Sequence, residues 1–157
     1  MSKARAEILA VDYPNTAAAR IIIKAPAAKI FDLLADPRDH ARFDGSGTIT
    51  QSISGPTRLF EGAKFGMAMK IKVPYRITNT VVAFDENKKI TWCHLMKWTW
   101  SYELEDLGNS QTQVTEIFDG SQVPALSKWW LRKTGSIARN PKWMAKSLVS
   151  LKAICEG

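Results

Sequence analysis

Two side chains in this sequence are placed to do acid–base chemistry. Glu116 lies in "TQVTEIFDG" (112–120) and shares its alternation with Val114 and Phe118, which read as inward-facing. A carboxyl held among apolar neighbours has a raised pKa and can move a proton near neutral pH. The same pattern also suits a carboxylate paired with a nearby Arg or Lys, or turned to solvent at a bend. His94, in "WCHLMKW", is the second candidate, and its face depends on the hairpin register. A two-residue turn at Met96-Lys97 would pair Leu95 with Trp98, leaving Trp92 and His94 on the face opposite Trp100. A longer turn or a bulge would bring them back. Asn79, between Ile77 and Val81, is a third inward polar group, able to orient the polar end of a ligand.

Bulky apolar groups surround these three. Trp92, Trp98 and Trp100 fall within nine residues. In "WTWSYELED" (98–106), Trp98, Trp100, Tyr102 and Leu104 alternate with polar residues that belong in water. In "AKFGMAMKI" (63–71), Phe65, Met67, Met69 and Ile71 alternate in the same way. A solid core of this aromatic volume would strand several indole N–H and phenol O–H groups, whereas a wet or ligand-filled hollow supplies partners. The expected ligand-lining set is Phe65, Met67, Met69, Asn79, Trp92, Trp98, Trp100, Tyr102 and Phe118. Trp130, Met144 and Leu148 join it from the terminal helical region. Any one Met also serves as ordinary core filler.

Stepping along the chain, "TAAARIIIKA" (16–25) reads as a strand and "PAAKIFDLLAD" as a helix behind Pro26. The helix breaks at Asp36-Pro37. A short second helix over Arg38 to Phe43 ends at Gly45 and Gly47. The period then changes to two over 48–54, 63–71, 75–84, 88–95, 98–106 and 112–120, with turn chemistry at "SGP", "DENK" and "DLGNS". Such short connections predict antiparallel neighbours. The tail is helical from Pro124, weakens at Gly135, and restarts with Asn140 as N-cap and Pro141 at the first helical position. Met144, Leu148, Leu151 and Cys155 mark one face of it. The expected class is α+β, a curved seven-stranded antiparallel sheet wrapped around a long C-terminal helix.

This order resembles the helix-grip superfamily, the SRPBCC or START-like proteins that include the polyketide cyclase/dehydrase group. "IIIKAPAAKIFDLLADPRDHARFDG" resembles its opening strand and helices, "FEGAKFGMAMK" its third-strand entry, and "VVAFDENKKITWCH", "WTWSYELEDLGNSQTQVTEIFDG" and "MAKSLVSLKAICEG" its last strands and final helix. The likeness covers about residues 18–156 of one domain spanning 1–157. It implies a cavity between sheet and terminal helix that takes a small hydrophobic molecule: lipid-, polyketide- or aromatic-like. The first reading is a carrier or binding protein of the lipid-transport kind. The alternative is a cyclase/dehydratase-type enzyme in which Glu116 or His94 moves protons. The family shares a cavity rather than one catalytic set, so activity is argued from the site.

The remaining composition narrows the classes. Two histidines, two cysteines and no ligand-spaced carboxylate cluster argue against a metal site, and no phosphate- or dinucleotide-binding loop calls for a cofactor. Cys93 and Cys155 form no motif, so a reducing compartment is expected. No leader-like or 18-residue apolar run is evident, and a cytoplasmic location follows as the expectation. The net charge is +7; from Ser121 onward seven Lys and Arg face Glu156 as the sole acid. That segment is either a solvated face or a surface for peripheral contact with an anionic membrane, with nucleic acid ranked last. The oligomeric state is not legible.

Overall fold

Runs of β-branched and aromatic residues between turn residues fold into eight antiparallel strands. The computed structural model describes residues 3–11 and 14–157. The leader reading includes Met1, Ser2, Asp12 and Tyr13, which lie outside the described residues. The strands are β1 (Glu7–Leu9), β2 (Thr16–Ile23), β3 (Ile49–Ser54), β4 (Lys64–Ile71), β5 (Val73–Asp85), β6 (Lys89–His94), β7 (Thr99–Gly108) and β8 (Gln111–Asp119). The helices are α1 (Ala27–Ala35), α2 (His40–Phe43), α3 (Ala125–Lys133) and α4 (Ser136–Glu156), with one 3₁₀ turn at Pro37–Asp39. In the sheet the order is β1-β2-β8-β7-β6-β5-β4-β3, so the second strand pairs with the last and the rest follow as a meander.

Two expectations need correction. Among the described residues the sheet has eight strands rather than seven, because β1 adds to the edge of β2, with Glu7 opposite Arg20 and ion-paired to it at 2.7 Å. Three residues are too few to display a period of two. The terminal helix also starts earlier than expected. α4 begins at Ser136 behind Gly135, whose φ of 70° suits glycine, and Pro141 lies inside it. Asn140 is therefore a buried helical residue and not an N-cap. Proline in this sixth position removes one backbone donor, but the helix continues through it.

The core forms where α4 crosses β2. Met144, Leu148, Leu151 and Cys155 are all buried on that face, as the spacing predicts, and α1 adds Ile30, Phe31 and Leu34. A bulge at Val82 lets Val81 oppose Trp92 while Ala83 opposes Thr91. The extra residue switches the inward set from odd to even numbers, so Phe84 follows Val81 onto the concave face, against Phe31. Bulges increase twist, and this one curls the sheet around its helices. Thr91 and Ser101 do not face open water as the alternation suggests; they are buried and bond each other at 2.8 Å.

Gly45 fixes how α2 meets α4. Its N–H donates to Ser147 Oγ at 2.7 Å, and a Cβ there would lie 2.3 Å from the Trp143 carbonyl oxygen. The obstacle is helix backbone, which cannot swing aside. Gly45→Ala is expected to cost about 1–3 kcal/mol through overpacking. A urea-unfolding midpoint equal to that of the parent protein would show that the loop yields instead.

Candidate functional site

The register of β4 to β8 places the inward residues in rows across the sheet. Leu95, Met96 and Lys97 form a three-residue turn: Lys97 N–H bonds the His94 carbonyl at 2.8 Å, and Lys97 takes a φ of 76°. A type I turn followed by a left-handed residue builds such hairpins. Trp92 then stands opposite Trp100, and His94 bonds Trp98. The longer-turn alternative is the one realised, and all four residues share the concave face.

The central row runs Phe118, Trp100, Trp92, Val81. On one side of it lie Glu116, Tyr102, Ile90 and Phe84. On the other lie Trp98, His94, Asn79 and Phe65. Polar groups thus flank an aromatic floor, with Ile90 and His94 four residues apart on β6, about 13 Å at strand rise. Met144, Trp143, Asn140 and Leu131 come from α3 and α4 to face this floor, and His40 and Phe43 come from α2. Between them remains a cavity of about 190 Å³.

Glu116 is the chemically unusual member. Its side chain is buried directly opposite Tyr102, and Oε2 has no hydrogen-bond partner. Burial pushes its pKa up to about 8; a polar contact from the Tyr102 phenol partly offsets this, and the negative charge of Asp44 adds to it. At neutral pH the carboxyl is therefore mostly protonated, and it can donate as well as accept. Burial, with Glu116 beside it, also raises the Tyr102 phenol well above its ordinary value.

His94 is a different case. Burial lowers its pKa to about 4, so the ring is neutral at pH 7. Nδ1 accepts from the Met96 N–H at 3.0 Å, which puts the proton on Nε2. The ring stacks on Trp98 at 4.2 Å. His94 thus offers a fixed donor, and neither ring nitrogen has a lone pair free to act as a base.

Of the expected ligand-lining residues, Phe65, Met67, Met69, Asn79, Trp92, Trp98, Trp100, Tyr102, Phe118 and Met144 border the cavity, as do Glu116 and His94. Two do not. Leu148 is fully buried one turn beyond Met144 and packs into the core instead. Trp130 lies on the outer side of α3 and is 47% exposed. Helical spacing alone could not say which face of α3 turns inward; Leu131 does.

Sequence reasoning missed His40, which borders the same cavity. Its Nε2 lies 2.8 Å from the Leu34 carbonyl and its ring stacks on Trp92 at 4.9 Å. Burial lowers its pKa despite that carbonyl, so it too is held neutral. It also missed Asp44, whose carboxylate is occupied by Ser46 and by the Ile49 N–H. His40 opens the four-residue helix α2 and Asp44 caps its end, too short a stretch for a period to report facing. A second, open depression between α1 and the 57–58 segment is lined by pairs such as Arg58–Asp32 and Arg38–Asp36, whose charges already neutralise each other.

No family model matches the chain. Solved structures do match its shape along nearly the whole length. The polyketide cyclase-like protein Cgl2372 of Corynebacterium glutamicum superposes with a TM-score of 0.62 at 18% identity, covering 93% of this chain and 94% of that one. The Zhui aromatase/cyclase of Streptomyces sp. R1128 gives 0.66 at 12% identity, covering 90% and 93%. This chain has the helix-grip fold. Among curated proteins, the uncharacterized protein Rv0088 of Mycobacterium tuberculosis is 41% identical over 107 residues, 68% of this chain. The helix-grip chain spans 48% of that relative's length.

The buried carboxyl in this helix-grip cavity makes stability depend on pH. Glu116 is raised in the folded state, so between about pH 4.5 and 8 the folded protein holds a proton that the unfolded chain has lost. Its contribution is fully present below that window and is lost as pH rises through 8. Glu116→Gln should flatten this slope, and urea unfolding at pH 5, 6.5 and 8 measures it. Parallel pH profiles for both proteins would place the carboxyl in contact with water.

Proposed function

We propose that the protein binds a small, largely apolar molecule in this cavity, as a carrier or binding protein. The observation that carries the reading is a buried carboxyl oxygen without a partner, facing a hollow floored by Trp92, Trp100 and Phe118. A polar group left in that state is costly unless something satisfies it. A hydroxyl or carbonyl on the ligand would do so, since the neutral carboxyl both donates and accepts. The His94 and Asn79 row would meet a second polar substituent.

Size narrows the ligand class. Roughly 150 Å³ of apolar cavity takes a benzene ring. At 190 Å³ the space suits one or two fused rings or a short chain, and a diacyl lipid would not fit without wall movement. Methionines 67 and 69 give the wall some adaptability. Titration with 1-naphthol should quench tryptophan fluorescence saturably at one molecule per chain. Met67→Trp, which fills the cavity, should weaken it at least tenfold. A flat titration, together with a bare mass for freshly purified protein in native mass spectrometry, would overturn the carrier reading.

A second reading is supported by the raised pKa of Glu116. A carboxyl poised near 8 beside a phenol is equipped for general acid–base catalysis of the cyclisation or dehydration kind. The Zhui neighbour is an aromatase/cyclase, and at 12% identity that likeness lends fold alone. His94 contributes orientation in this scheme and no proton transfer. Glu116→Gln should then abolish turnover of a polyketide-like substrate while binding of 1-naphthol changes less than about threefold. Turnover that survives the substitution would remove Glu116 from the chemistry.

A further inference from the structure

The outer face of α3 leaves three large apolar side chains in water. Leu126 is 73% exposed, Trp129 52% and Trp130 47%, on a helix of nine residues. Lys128, Arg132 and Lys133 interleave with them, and Lys133 Nζ lies 5.0 Å from the Trp129 ring centre. No acidic residue occurs between Asp119 and Glu156. Leaving two indoles and a leucine in water forgoes hydrophobic stabilisation that burial would provide.

A second apolar and basic feature stands at the same cavity. The β4–β5 hairpin turns at Lys72, with Ile71 and Val73 exposed on either side of it. Lys70 and Arg76 flank this tip, and the sequence from Lys64 to Phe84 contains no acid. Ile71 and Tyr75 border the cavity from the hairpin, and Leu131 borders it from α3. Tyr75 feels the charge of Arg139, a cavity residue of α4 whose guanidinium stacks on Trp143.

We propose that α3 and the β4–β5 tip dock the protein on an anionic lipid bilayer at the rim of the cavity. Charge complementarity selects an anionic partner, and the side-chain types select among anionic partners. Indoles seat at the headgroup level and aliphatic side chains enter the acyl boundary. Leu126, Ile71 and Val73 would gain little from a nucleic-acid backbone, whereas the bilayer buries all three. Lys128, Arg132 and Lys133 would meet the lipid charge, each worth about a fivefold gain in binding near the surface. Docking stands independently of what the cavity holds. Its use rests on the carrier reading: the helix that lies on the membrane also supplies Leu131 to the cavity wall, so an apolar ligand could pass between bilayer and cavity without crossing water.

Co-sedimentation with vesicles tests this. The protein should bind vesicles of phosphatidylcholine with 30% phosphatidylserine in 50 mM NaCl, and should bind pure phosphatidylcholine at least tenfold more weakly. Raising NaCl to 500 mM should release most of it. Trp129→Ala with Trp130→Ala, and separately Lys128→Glu with Lys133→Glu, should each reduce binding at least tenfold. These side chains are exposed or lie at the surface, so circular dichroism and 1-naphthol binding should be unchanged, which separates a failure of docking from a failure of the cavity. Lys88→Glu, in the β5–β6 turn, should leave vesicle binding within about twofold. The proposal is overturned by absence of binding in 50 mM NaCl, or by equal losses in the Lys88→Glu control. It is overturned equally if the tryptophan pair proves to hold a dimer, or to bind RNA more tightly than vesicles.

Discussion

Eight strands spaced about 4.8 Å apart make a sheet roughly 34 Å wide, and a helix with its side chains is about 10–12 Å across. One helix cannot cover that surface. α4 lies along β2, where Met144 to Cys155 close the core, and the concave face beyond β8 has to be covered by other means. Curl at the Val82 bulge, the short helix α2 and the side of α3 all contribute, and what they leave uncovered is the cavity. Its location is thus a consequence of mismatched widths. The rows of aromatic residues are the response to it, since large rings reach furthest into a space that backbone elements leave open.

Much of this was legible. Alternation turned Phe65, Met67, Tyr102, Glu116 and Phe118 inward, and each is inward, because a strand in a half-buried sheet has only two faces to choose from. Stripe spacing on the last helix worked for the same reason. The hairpin register was not legible, because it hangs on one residue of turn length. Leu95-Met96-Lys97 carries neither glycine nor asparagine to announce the left-handed position that Lys97 occupies. A one-residue difference in that turn carries Trp92 and His94 from one side of the sheet to the other.

The failures on the helical side have another origin. Asn140-Pro141 carries the composition of a helix start, yet the chain enters α4 five residues earlier, where Gly135 supplies the turn. Tertiary packing of Asn140 and Arg139 at the cavity outweighs the local signal. Trp130 was assigned to the interior because tryptophan usually belongs there, but α3 has a single buried side, taken by Ser127 and Leu131. His40 and Asp44 lie on and just past a helix of one turn, too short to show a stripe, and only their three-dimensional neighbours reveal what they do. His40 in particular reads as an ordinary histidine of a short helix until Trp92 is seen stacked on it.

Pro141 divides α4 into unequal halves. The stretch after it is welded to β2 by Leu148, Leu151 and Cys155, and the stretch before it lacks one rung of the helical ladder. Local unfolding begins where rungs are fewest and buried contacts thinnest. The first turn and a half of α4 therefore relies on side-chain packing, with Asn140 buried and Arg139 stacked on Trp143, more than on its own ladder to hold the cavity wall. Pro141 thereby marks the boundary between a stretch of α4 held by an unbroken ladder and the sheet, and a stretch held by what it packs against.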